Sequence, residues 1–149
     1  MRIYLDTCCL NRPYDDLSDN AVRMEAEAVL SIIDVCETGE WTFCGSDVLL
    51  DEILNITGVE RREKVLLLYD SAVEHIDLTD EIISQSKALE CHGIKSYDAL
   101  HVASAEAGGA DVFLTTDRKL INAVKRAGVV LPVMNPLIWL TEVLYGRKS

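Results

Sequence analysis

Apolar positions along this chain change their period repeatedly. RIYL (2–5), WTFC (41–44), VEHIDL (73–78), DVFLT (111–115) and VVLPV (129–133) are short runs rich in β-branched or aromatic residues, the pattern of strands. Between them the apolar residues recur at helical spacing. Leu17–Thr38 predicts a helix with Val22, Ala26, Val29, Ile33 and Cys36 near one side, capped by Ser18 or Asp19 and stopped by Gly39. Ser46 is the expected cap of a short helix from Asp47 to about Ile56, broken at Thr57–Gly58, and a more charged helix follows from about Glu60 to Ser71. Thr79 caps a helix that stops near Gly93, and Ser96 caps YDALHVASAEA, which stops at Gly108–Gly109. RKLINAVKRA gives another short helix, and Asn135–Pro136 opens a C-terminal one. Such alternation predicts an α/β fold, a mainly parallel sheet covered on both sides by helices.

Length and composition narrow this picture. A chain of 149 residues suits one domain spanning 1–149 that buries roughly 68–70% of its unfolded surface. Apolar residues make up 49% and aromatics 6%, so the core is expected to rest on Leu, Ile, Val and Ala, and disorder is excluded. MRIYLD is too short and too soon charged for a signal peptide, and no apolar run approaches the roughly 18 residues of a membrane span. The expectation is a soluble cytoplasmic protein without membrane contact. Cysteines 8, 9, 36, 44 and 91 show neither CxxC nor zinc spacing, so buried free thiols are expected. A net charge of −11 disfavours nonspecific nucleic-acid binding, which confines any such binding to a focused, salt-sensitive basic patch.

The candidate chemistry comes from four carboxylates. All strands of a parallel sheet end at one edge, where open α/β folds bind ligands. Asp6 ends the first strand, and Asp117 follows the apolar part of DVFLTTD at the same edge. Asp98 stands in the first turn of the helix preceding DVFLTTD; the dipole stabilises its charge, and Ala99, Val102, Ala103 and Ala105 let that helix approach the sheet closely. Along the helix after Ser46, residues 49, 52, 53 and 56 share one side, so Glu52 interrupts an apolar stripe while Asp51 points with Asp47 and Asn55 toward water. A charge on a packing face needs a partner or a cation. Four convergent carboxylates repel one another, and a divalent ion resolves the conflict; an all-oxygen site suits Mg²⁺ or Mn²⁺ acting on a phosphodiester.

With LDTCCLN (5–11), SDVLLDEIL (46–54), YDALHVASA (97–105) and FLTTDRKL (113–120) in this order and setting, nearly the whole chain resembles the PIN-domain nuclease family, especially the toxin ribonucleases of prokaryotic toxin–antitoxin pairs. The family's acidic positions match Asp6, Glu52, Asp98 and Asp117, and Thr115 matches its hydroxyl residue two before the last Asp. The resemblance implies an α/β/α sandwich with strand order 3-2-1-4-5, Mg²⁺- or Mn²⁺-dependent RNA cleavage leaving a 5′-phosphate, and often a homodimer inhibited by an antitoxin. It implies metal contacts for Asp6, Asp98 and Asp117, with Glu52 aligning the nucleophilic water or completing the shell and Thr115 fixing a carboxylate or water. Many relatives carry an acid where this chain has Lys119, which puts a second metal site in doubt.

Beside these residues, Arg12, Lys95, Arg118 and Lys119 are candidates for a basic rim, and Asn11 for a turn or a bond to site waters. His101, one turn beyond Asp98, reads as a satisfied structural histidine. Trp41, Trp139 and Tyr145 read as packing residues of the core or of a protomer interface. Cys8 and Cys9 read as packing thiols at the strand end. An aspartyl phosphatase, another Mg-dependent phosphoryl-transfer class, expects Asp where Cys8 stands. A receiver-like domain leaves Glu52 and Asp98 unexplained, and an inactive protein-binding module leaves the four acids without a purpose.

Overall fold

A computed structural model describes residues 1–146. Five parallel strands, β1 (Arg2–Leu5), β2 (Thr42–Ser46), β3 (Glu74–Ile76), β4 (Val112–Leu114) and β5 (Val133–Met134), form one sheet of order β3-β2-β1-β4-β5. Eight helices among the described residues flank it: α1 (Thr7–Asn11), α2 (Asn20–Glu37), α3 (Asp47–Leu54), α4 (Val59–Tyr69), α5 (Asp80–Glu90), α6 (Ser96–Ala107), α7 (Arg118–Arg126) and α8 (Pro136–Tyr145). The expected α/β class and strand order are both found. None of these helices is long and apolar enough to cross a membrane.

Burial explains the arrangement. β1 and β4 occupy the middle of the sheet, and Ile3, Tyr4, Leu5, Phe113 and Leu114 are wholly enclosed, as expected for strands covered on both faces. The register pairs Ile3 with Val112, Tyr4 with Phe113 and Leu5 with Leu114. One step further, the Asp6 N–H donates to the Leu114 carbonyl at 2.9 Å, so the first acid is held at the strand end beside Thr115. Tyr4 stacks on Phe113 with centroids 5.1 Å apart. Across the sheet α2 buries Ala26, Val29, Ile32, Ile33 and Cys36, and Trp139 of α8 meets Trp41 edge-on at 5.1 Å, the packing role expected for both indoles.

Local chemistry sets the ends of most helices. Asp19, Ser46, Thr79 and Asn135 accept hydrogen bonds from first-turn amides, as side-chain caps do. Gly39 follows α2 with φ +86°, a left-handed conformation that only glycine adopts without strain. Gly45 has a different reason: a Cβ there would collide with the Tyr69 ring, so β2 passes close under α4.

Four local features differ from what the sequence leads one to expect. Thr7–Asn11 forms a helix, α1, where none was expected, because five residues are too few to show a period. Ser96 does not cap α6: Lys95 holds that position without a side-chain bond, and the Ser96 hydroxyl turns to Glu90. The strand expected at VEHIDL is confined to Glu74–Ile76, and the one expected at VVLPV lies later, at Val133–Met134, where the chain runs in register with β4. Arg12, assigned to a basic rim, pairs with Asp15 and Glu25 at 3.1 and 3.0 Å.

Candidate active site

The C-terminal edge of the sheet opens into a cleft of about 550 Å³ lined by Asp6, Thr7, Cys8, Asn11, Glu52, Asn55, Ile56, Tyr97, Asp98 and Asp117. Residues separated by over a hundred positions thus share one space. All four predicted acids line it. Thr115, fully buried just behind, donates its hydroxyl to Asp6 Oδ2 at 2.8 Å and accepts from the Asp117 N–H at 3.1 Å. One hydroxyl therefore ties the first acid to the backbone of the last.

Each acid is positioned by its element. Asp6 caps α1, with Oδ1 accepting from the Thr7 N–H at 2.8 Å. Asp117 caps α7, its Oδ1 accepting from the Lys119 and Leu120 amides at 2.9 and 3.2 Å. A helix cap is thus the local role of two acids, and it leaves one Asp117 oxygen with no protein donor among the described residues. Glu52 reaches across from α3, where Oε1 accepts from the Thr7 hydroxyl and faces His101 Nε2 at 3.0 Å. Asp51 lies on the exposed side and accepts from the Tyr97 hydroxyl, so the two members of the DE pair separate as expected.

Electrostatics mark the cluster as under-compensated. Asp98 is pushed up to about 6, first by burial and then by the charges of Asp6 and Asp117, with Glu52 adding and His101 opposing. Burial also opposes ionisation of Glu52, but hydrogen bonds from His101 and Thr7 outweigh it and hold that carboxyl below its ordinary value. The described residues lining the cleft include no lysine or arginine. Such a donor set fits a hard divalent cation, since the acids' mutual repulsion is what a dication relieves.

The structure adds neighbours to this set. His101 is wholly buried, with Nδ1 2.7 Å from the Tyr4 hydroxyl and Nε2 4.0 Å from Asp6 Oδ1; donor atoms of Asp6, Glu52 and His101 all lie within 4.8 Å of one another. Its i, i+3 spacing from Asp98 was the available signal. Cys9 is buried in the core, but Cys8 is half-buried in the cleft, 3.4 Å from Asp6 Oδ2 and 3.3 Å from Thr115 Oγ1. The helical turn of α1, not strand alternation, sends the two thiols apart. Lys95 and Lys119 line a small recess together with Asp98 and Asp117. Asn11 accepts from Arg61 at 3.2 Å and donates to the Thr7 carbonyl, a local structural role.

Comparison with known proteins agrees with the fold. No curated protein sequence matches the chain. Among solved structures, it is similar to a chain of VapBC2 from Rickettsia felis, crystallised bound to a DNA fragment from its promoter; the match has 20% identity and a TM-score of 0.61, covering 91% of this chain and 98% of that one. That likeness is one of fold. The PIN domain family matches residues 3–126, from β1 through α7, a span that contains every acid of the cleft, and the chain accordingly belongs to the PIN domain family.

Proposed function

We propose that residues 1–149 act as one PIN domain that hydrolyses RNA phosphodiester bonds with Mg²⁺, or alternatively Mn²⁺. The observation carrying this reading is the convergence of Asp6, Glu52, Asp98 and Asp117 in one cleft, with Asp98 raised to about 6 by burial and its neighbours' charges. Asp6, Asp98 and Asp117 would hold the ion, with Glu52 completing the shell or orienting the attacking water. When bound, the metal supplies charge neutralisation and a more acidic water. The chain's own contribution is placement. Thr115 restrains Asp6, the α7 amides restrain Asp117, and His101 with Thr7 restrains Glu52. Lys95 and Lys119 offer the adjoining cationic contacts for substrate phosphates.

In biological terms, we read the protein as the toxin of a toxin–antitoxin pair: a cytoplasmic homodimer restrained by an antitoxin protein. Family membership and the fold shared with a VapBC2 chain support this reading. The test is cleavage of structured and single-stranded RNA by purified protein with Mg²⁺ or Mn²⁺, beside Asp6→Asn and Asp98→Asn. Metal-dependent products from the wild type alone are expected. Equal background from all three proteins across a broad RNA panel would overturn the enzymatic reading.

A further inference from the structure

Glu52 is held by a buried chain of polar groups that starts at the N-terminal cap of its own helix, α3. The Leu49 N–H donates to Ser46 Oγ at 2.9 Å, Ser46 Oγ lies 2.8 Å from the Tyr4 hydroxyl, that hydroxyl lies 2.7 Å from His101 Nδ1, and His101 Nε2 lies 3.0 Å from Glu52 Oε1. Ser46, Tyr4 and His101 are each wholly buried. In such a place an unmatched donor or acceptor is costly, so the hydrogens must be shared out consistently.

Consistency leaves few arrangements. An ionised carboxylate only accepts, so the ring nitrogen facing it must donate. With a neutral ring, Nδ1 then accepts from Tyr4, Tyr4 accepts from Ser46, and Ser46 accepts from Leu49: each group is used once. With a doubly protonated ring, Nδ1 donates to Tyr4 and Tyr4 donates to Ser46. Both arrangements put a hydrogen on Nε2 and leave that nitrogen no lone pair. The Thr7 hydroxyl falls on the same oxygen, Oε1. Among the described residues, Oε2 is thus the oxygen of Glu52 that no side chain or amide holds.

We propose that His101 is a positioning residue, not a metal ligand: through its Nε2–H, and with its ring fixed by Tyr4 and Ser46, it immobilises Glu52 Oε1 and leaves Oε2 for the metal or the attacking water. The ring supplies what a flexible glutamate on the short helix α3 lacks, a fixed donor on a rigid buried frame. Close spacing with Asp6 and Glu52 would otherwise make His101 a third ligand, and the direction of its hydrogens separates the two roles.

Nitrogen NMR of the His101 ring, in protein labelled with ¹⁵N, reads those hydrogens directly. A protonated Nε2 is expected in the metal-free protein and after addition of Mg²⁺. An Nε2 that is unprotonated before metal, or loses its hydrogen when Mg²⁺ is added, would overturn the proposal. This arm does not depend on RNA cleavage. The kinetic arm rests on the nuclease reading: His101→Leu and Tyr4→Phe should lower kcat roughly 10- to 100-fold with KM within about twofold, and His101→Gln, which keeps a donor, should recover part of the loss. Should His101→Leu not fold, Tyr4→Phe carries this arm, since it keeps the ring stacked on Phe113. Folded Tyr4→Phe with unchanged kcat would reduce His101 to a packing role. A wild type that cleaves nothing would defeat the nuclease reading alone, and the NMR result would still decide the proton's place.

Discussion

Among the described residues, two clusters combine the same ligand types, two carboxylates and one imidazole, with donor atoms within 4.8 Å of one another: Asp6, Glu52 and His101 at the cleft, and Asp47, His75 and Asp77 beside β3. They differ in their access to water. Side-chain exposure is 8%, 34% and 1% in the first, against 45%, 40% and 83% in the second. At the exposed cluster solvent screens the charges, and hydrogen bonds from the Leu78 N–H and then His75 are enough to hold Asp47 below its ordinary range. Beside the buried one, burial first and then the charges of Asp6 and Asp117 push the neighbouring Asp98 up to about 6. Burial, more than ligand identity, makes the first cluster call for a cation.

The largest test of that contrast removes a cleft acid. Asp6→Asn should reduce metal-dependent RNA cleavage by roughly 100-fold or more, measured as kcat/KM. Mg²⁺ should raise the thermal midpoint of the wild type by binding the folded state, and this rise should vanish in the variant. Asp98→Asn probes the repulsion itself. Because the folded-state value of about 6 lies above the ordinary 3.8, the folded protein binds the proton more tightly than the unfolded chain. Metal-free stability should therefore fall as pH rises from about 4 to 6, and the slope should flatten in Asp98→Asn. Denaturant titrations at stepped pH measure it.

Thr115→Val removes the hydroxyl joining Asp6 to the Asp117 backbone while keeping shape. A stability loss of about 1–3 kcal/mol is expected from the unmatched buried partners, together with weaker cleavage at equal metal concentration. His75→Gln should do least. Its site is exposed, so stability should stay within about 0.5 kcal/mol and cleavage should match the wild type. A large loss of activity in His75→Gln would break the contrast between the two clusters.

The acids were legible because each has a local signature that fold topology converts into a position. Asp6 ends an apolar run, Asp98 opens a helix, Asp117 follows a strand, and Glu52 breaks an apolar stripe. Parallel connections bring such points to one edge. Arg12 shows the opposite case: Glu25, thirteen residues away, satisfies it by a contact between α2 and the turn after α1 that no local pattern announces. Cys8 packs against the core as expected and also lines the cleft; that second position did not show in the sequence because α1 is too short for its period to appear, yet its helical turn decides which thiol meets the cleft.

The sequence by itself determined the alternation of strands and helices, the caps at Ser46, Thr79 and Asn135, and the four acids at the sheet's edge. These follow from period, capping chemistry and chain direction, which act over a few residues. Only the tertiary structure decided the buried chain Ser46–Tyr4–His101–Glu52, the coupling of Thr115 to two acids and the pairing of Arg12. Those depend on which groups are deprived of water together, and exclusion of water belongs to the packed whole, not to any segment of it.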